Sequence, residues 1–77
     1  METYTKETNA ALHILRLIGV ANKIAVSPST IRDWINPNSP RFDDTFPRPI
    51  KLGGNSVGWL STEIDVWLLN KAEESRI

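Results

Sequence analysis

The 77-residue sequence predicts one small α+β domain, mainly helical: two short helices joined by a tight turn, a β-hairpin, and a supporting C-terminal helix. Three observations predict it. Apolar residues at helical spacing lie on both sides of Ala25, with Ser27-Pro28 opening the second run; a glycine-rich turn sits between alternating apolar residues from Ile50 to Trp59; and a last helical stripe runs from Ile64 to Leu68. Residues 1–9 read as a flexible N-terminus, 10–72 as the folded domain and 73–77 as a C-terminal tail. A chain of this length supports a single core, worth roughly 3–5 kcal/mol of net stability.

The stretch from Val20 to Asn36, VANKIAVSPSTIRDWIN, organises the rest. The Ser27 hydroxyl is suited to accept from a free backbone N–H of the first helical turn, and Pro28 at the first helical position lacks the donor that would go unpaired there. From Pro28, Ile31, Trp34 and Ile35 fall on one inward stripe and leave Ser29, Thr30, Arg32, Asp33 and Asn36 facing out. Asn36-Pro37 ends the helix. Upstream, Val20, Ile24 and Val26 supply the apolar face of a first helix, and small Ala21 lets the second cross close to it. This spacing resembles a DNA-binding helix-turn-helix, in which the second helix offers its first turns to base edges in the major groove. An ordinary packed helix pair is the alternative on this stretch alone. The turn of that motif usually carries glycine where this chain has Ala25, so either the turn avoids the left-handed region or stability of about 1 kcal/mol is lost.

Before this unit, Ala10 to Ile18 fits either a helical turn or a short extended segment, and a helical start near Asn9 is expected, with Leu15 and Leu17 feeding the core. His13, the only histidine, has no second nitrogen or sulfur ligand and reads as a surface or boundary side chain. After the unit, Pro37 to Pro49 holds four of the five prolines and reads as an ordered loop pinned by Phe42 and Phe46. Asp43-Asp44 lacks an accompanying nucleophile or base and reads as a solvated turn.

Ile50 to Leu60 reads as a hairpin turning at Gly53, Gly54 and Asn55. Ile50, Leu52, Val57 and Trp59 are expected to face the core, with Lys51 pointing the other way. Beside a helix-turn-helix such a ribbon is a wing, whose small tip residues bring backbone N–H groups close to a phosphate. Ser61 is expected to cap the last helix, with Ile64, Trp67 and Leu68 inward. Trp34, Trp59 and Trp67, one from each main element, are expected together to form much of the core.

Composition narrows the function. With no cysteine, thiolate metal sites are excluded. The sequence shows no membrane-length apolar run, and its N-terminus lacks the features of a signal peptide, so a cytoplasmic protein without a membrane role is expected. Nine basic residues balance nine acidic ones, but Arg16, Lys23, Arg32, Arg41, Arg48 and Lys51 face only Asp33, Asp43 and Asp44 between residues 16 and 51, so the positive charge sits with the motif.

The segments SPSTIRDWI, FPRPIKLGG and VGWLSTEIDVWL, in that order, resemble the AlpA family of small phage-type regulators and excisionases, which share a winged helix-turn-helix related to the MerR DNA-binding domain. The resemblance covers roughly residues 16–72. It implies DNA binding near a prophage or island integration site, with action as a recombination directionality factor, a transcriptional regulator, or both. It assigns Ser27, Ser29, Thr30 and Arg32, with Asp33 beside them, to the recognition helix, and Lys51, Gly54, Asn55 and Ser56 to the wing, with Arg48 as a backbone contact. Two positions depart from the family pattern: Asp33 stands where a basic residue is common, and Asn55 where arginine often sits. Asp33 has three roles open to it: accepting from a cytosine amine, ordering Arg32, or repelling phosphate.

These readings lead to a sequence-specific double-stranded DNA-binding protein, not an enzyme, with no cofactor, metal or small-molecule substrate. Several copies are expected side by side on direct repeats, bending the DNA so that an integrase of the tyrosine recombinase class can assemble. The competing reading is a protein-interaction module that binds an integrase or regulator through its acidic C-terminal helix. An enzyme is a distant third, since no nucleophile–base pair, phosphate loop or metal cluster is visible in the sequence.

Overall fold

The structure, a computed structural model, describes residues 12–76; the N-terminal segment read as flexible lies outside them. In chain order the elements are β1 (Ile14–Leu15), α1 (Leu17–Ile24), α2 (Pro28–Ile35), β2 (Ile50–Gly53), β3 (Ser56–Leu60) and α3 (Ser61–Ser75). Together they form a small winged helix-turn-helix. A three-stranded antiparallel sheet of order β1-β3-β2 lies against a core of Val20, Ala21, Ile31, Phe46, Trp59, Ile64 and Trp67.

The expected helical start near Asn9 lies outside the described residues; within them, Ile14–Leu15 is a strand. Ile14 pairs with Leu60 and Leu15 with Trp59, the Ser61 N–H donates to the His13 carbonyl at 2.8 Å, and the helix opens only at Leu17. A partner some 45 residues away decides the conformation of two residues whose own pattern fits either state. At the other end α3 continues to Ser75, through most of the stretch read as a tail. Its N-cap is Leu60, without a side-chain bond, and Ser61 already lies inside the helix, so the cap assigned to Ser61 is not formed.

The hairpin shows the largest difference. Two central residues, Gly54 and Asn55, would place Ile50 and Leu52 opposite Trp59 and Val57, on the core face. The observed register pairs Ile50 with Gly58 and Lys51 with Val57, then shifts between Lys51 and Gly53. A one-residue shift moves every side chain of a strand to its other face. Ile50 and Leu52 therefore share the outer face with Gly58 and Ile14, while Lys51 lies on the Val57 and Trp59 side of the ribbon.

The three tryptophans form or flank the core as expected, in two separate places. Trp34, Phe46 and Trp67 pack with ring centroids 5.0–5.4 Å apart, so the third member is a loop phenylalanine. Trp59, fully buried, instead clamps the proline-rich loop: its indole N–H donates to the Pro47 carbonyl at 2.9 Å. The Trp67 N–H donates to Thr45 Oγ1 at 3.2 Å, and the Asp43 N–H to the Trp34 carbonyl at 2.9 Å. Asp43 accepts from the Thr45 hydroxyl at 2.6 Å and from its N–H at 2.9 Å. The hydroxyl bond holds the Asp43 carboxyl below its ordinary pKa; partial burial opposes the shift, and the Thr45 N–H and Lys71 assist it. The loop is thus ordered by two indole donors and an aspartate turn.

Candidate nucleic-acid interface

The connection between α1 and α2 fixes how the second helix stands out from the body. Ala25 sits at φ 63°, ψ 43°, in the left-handed region, and the N–H groups of Ala25 and Val26 both return to the Ala21 carbonyl. Of the two alternatives the sequence leaves open, the strained turn is therefore the one adopted. Ser27 then caps α2 with Pro28 at its first position, as expected: its Oγ accepts from the Thr30 N–H at 3.2 Å. The same Oγ lies 3.1 Å from Ser29 Oγ and 2.9 Å from Thr30 Oγ1. Three hydroxyls are gathered at the positive end of one helix.

Ile31 is fully buried beneath this turn and anchors the helix, which leaves Ser27, Ser29 and Arg32 exposed and Thr30 and Asp33 partly so. Among the described residues the side-chain ion pairs are Lys23–Asp65 at 2.9 Å and Lys71–Glu74 at 3.9 Å; neither involves Arg32 or Asp33. Arg32 thus projects as a cation not held by its acidic neighbour, and Asp33 does not order it. Lys23, counted in the sequence with the central positive charge, is committed to α3. Nothing local in the sequence signals that pair, because Asp65 lies 42 residues on.

The wing places Gly54, Asn55 and Ser56 together at the ribbon's exposed tip, where Gly53 (φ 143°) and Gly54 (φ 51°) take backbone conformations that favour glycine. Asn55 is not among the positive-φ residues, so the two glycines make the reversal without it. Lys51 is exposed on β2. Arg48, also exposed, borders a hollow of about 250 Å³ with Trp34 and Ile35 from the C-terminal end of α2 and Phe42 from the loop. The recognition-helix residues are contiguous on α2 and the tip residues on the hairpin, while Arg48 lines the hollow beside Trp34 and Ile35. No group of three His, Cys, Asp or Glu side chains arranged to hold a metal occurs among the described residues, and no helix there is long and apolar enough to cross a membrane.

Comparison with known proteins agrees with this architecture. The family described as prophage CP4-57 regulatory protein (AlpA) matches residues 13–72, a span that takes in every element from β1 to most of α3. The DNA-binding transcriptional activator AlpA of Escherichia coli (strain K12) is 48% identical over 64 residues, covering 83% of this chain and 91% of that relative. No solved structure matches. With a winged helix-turn-helix in place and the family match running through all of its elements, the chain belongs to the AlpA family of prophage regulatory proteins.

Proposed function

We propose that this protein binds double-stranded DNA sequence-specifically and regulates a prophage or integrated genomic island, as an excisionase (recombination directionality factor), a transcriptional regulator, or both. The observation that carries the reading is the exposed first half of α2, where Ser27, Ser29 and Thr30 share hydrogen bonds at the helix N-terminus and Arg32 projects unpaired from its acidic neighbour. The similarity to a relative named as a DNA-binding transcriptional activator supports it.

In the proposed complex α2 enters the major groove. Ser27 and Ser29 hold phosphate or base edges, aided by the helix dipole; Thr30 and Arg32 read bases; and Asp33 accepts from a cytosine amine. The wing tip of Gly54, Asn55 and Ser56, with Lys51 and Arg48, contacts the sugar-phosphate backbone. The protein performs no chemistry in this account. It bends or occupies DNA: the bend assists a tyrosine recombinase in excision, and occupancy blocks or recruits polymerase. The site of action is the cytoplasm, with duplex DNA, a recombinase and further copies of the chain as partners.

Two variants test it. Arg32→Ala should weaken binding by about 1–3 kcal/mol and relax preference at the base it reads, whereas Lys51→Ala should weaken binding to all sequences alike and lower the salt slope. If both variants bind DNA as the parent does, the reading face is wrongly assigned. The competing reading, a protein-interaction module, draws support from the Lys23–Asp65 pair, which takes one cation from an already weak positive field. Binding that vanishes as salt rises, with no sequence preference, would favour it.

A further inference from the structure

At the exposed end of α2, the hydrogen bonds of Ser27 tie two DNA contacts of the proposed interface to each other. Ser27 Oγ has three partners: the Thr30 N–H at 3.2 Å, Thr30 Oγ1 at 2.9 Å and Ser29 Oγ at 3.1 Å. A hydroxyl has one proton to donate and two lone pairs with which to accept. The N–H only donates, so it occupies one lone pair. Of the two neighbouring hydroxyls, one must then donate to Ser27 and the other accept from it. Among the described residues no other side chain bonds to the three, so the protein alone leaves both directions open. In either direction Ser27 Oγ is fully used, and it holds phosphate only through Ser29.

The direction decides what the neighbours can offer DNA. If Ser29 accepts from Ser27, its own proton is free to point outward, while Thr30 turns its proton inward and shows only lone pairs. If Thr30 accepts from Ser27, the two roles exchange. Both cannot donate outward at once. In the proposed complex exposed Ser29 meets phosphate and half-buried Thr30 a base edge. Phosphodiester oxygens only accept. We infer that the phosphate sets the direction of the whole trio: Ser29 donates to phosphate, Ser27 to Ser29 and Thr30 to Ser27, so that Thr30 meets the base as an acceptor alone. The major-groove donors are the N6 amine of adenine and the N4 amine of cytosine, whereas thymine and guanine present acceptors at the corresponding places. Thr30 therefore selects an amine-bearing base, and Ser27 is the positioning residue that enforces the choice. A carbonyl in that place loses one hydrogen bond, either at the base or at the phosphate. The inference rests on the DNA-binding reading and names the base class that one of its residues takes.

The test starts from the duplex that the parent selects from a randomised pool. Thr30→Val keeps the shape and removes the hydroxyl, so the base pair whose preference it relaxes is the one Thr30 reads. Removing the exocyclic amine of that pair, with purine for adenine or 2-pyrimidinone for cytosine, should weaken the parent by roughly 2- to 10-fold, the worth of one hydrogen bond, and leave Thr30→Val unaffected. Inverting the pair puts a carbonyl where the amine stood and should weaken the parent by a similar factor. Ser29→Ala should bind every sequence more weakly and also lose the penalty for inversion, because without the phosphate bond Ser27 is free to donate to Thr30. A side chain that merely holds phosphate would lower all affinities alike. Ser27→Gly, which keeps most of the cap, should lose the same penalty, and Ser27→Thr should retain it. Urea midpoints show which variants are folded; Ser29 is exposed and is not the cap, so Ser29→Ala carries the test if Ser27→Gly does not fold.

The inference is overturned if no base pair answers to Thr30→Val, if the parent tolerates loss of the amine, or if the inversion penalty survives in Ser29→Ala. Each of these leaves DNA recognition standing. Should the pool yield no selected sequence, the DNA-recognition reading fails and the inference with it.

Discussion

Replacing Ala25 by glycine should stabilise the protein. At φ 63°, ψ 43° the residue sits close to the centre of the left-handed region, where Cβ crowds the following carbonyl oxygen at about 1–2 kcal/mol. Glycine removes that crowding but adds conformational freedom to the unfolded chain, which costs about 0.4–1 kcal/mol. Ala25 is exposed, so its methyl contributes no buried surface, and the hydrogen bonds of the turn are made by backbone atoms that the substitution leaves in place. The net gain is about 0.5–1 kcal/mol, a substantial share of a total near 3–5 kcal/mol for a domain of this size. For 60–100 residues it corresponds to a rise of about 2–8 °C in Tm. The assay is urea unfolding followed by tryptophan fluorescence, read as a higher midpoint at unchanged slope. An unchanged or lower midpoint would refute the reasoning, because it would mean that the turn is not strained.

Two further predictions concern the fold. Gly58→Ala drives a methyl into Ile14 and within 3.2 Å of the Leu15 carbonyl, so it should cost about 1–3 kcal/mol in the same assay; undiminished stability would contradict the register of β1 on β3. Asp43 has a folded-state pKa below the ordinary carboxylate value of about 3.9, so its contribution is complete above that pH and fades as pH falls through the lowered folded-state value. The parent should therefore lose more stability than Asp43→Asn on acidification below about pH 4, and parallel pH profiles would remove Asp43 from the loop clamp.

The helix-turn-helix was legible in the sequence because its determinants are local. Ser27, Pro28 and the Ile31 stripe specify the cap, the start and the buried face of α2 within one short stretch, and the structure reproduces them. What escaped depends on residues far apart or on one-residue shifts. Ile14 and Leu15 become a strand only because Leu60 and Trp59 lie beside them. The bulge after Lys51 reverses the facing of β2, and the Gly53-Gly54 pair beside it fits a plain two-residue turn as readily as a bulged one. The part of Phe46 in the aromatic cluster with Trp34 and Trp67, and the bond from the Trp59 indole to the Pro47 carbonyl, join residues distant in sequence. Within the candidate site, the hydroxyls of the first turn were legible. The loss of Lys23 to Asp65 and the exposure of Ile50 and Leu52 were not, because both follow from tertiary packing.

The central claim is that the first turns of α2 read a DNA sequence. Parent protein and Arg32→Ala should each be incubated with a pool of randomised duplexes, and the bound fractions recovered at low and moderate salt and sequenced. The account predicts a motif of short repeated sites for the parent that survives the higher salt, and the same motif with one position relaxed for the variant. No enrichment by the parent, or an identical motif from both proteins, would contradict it.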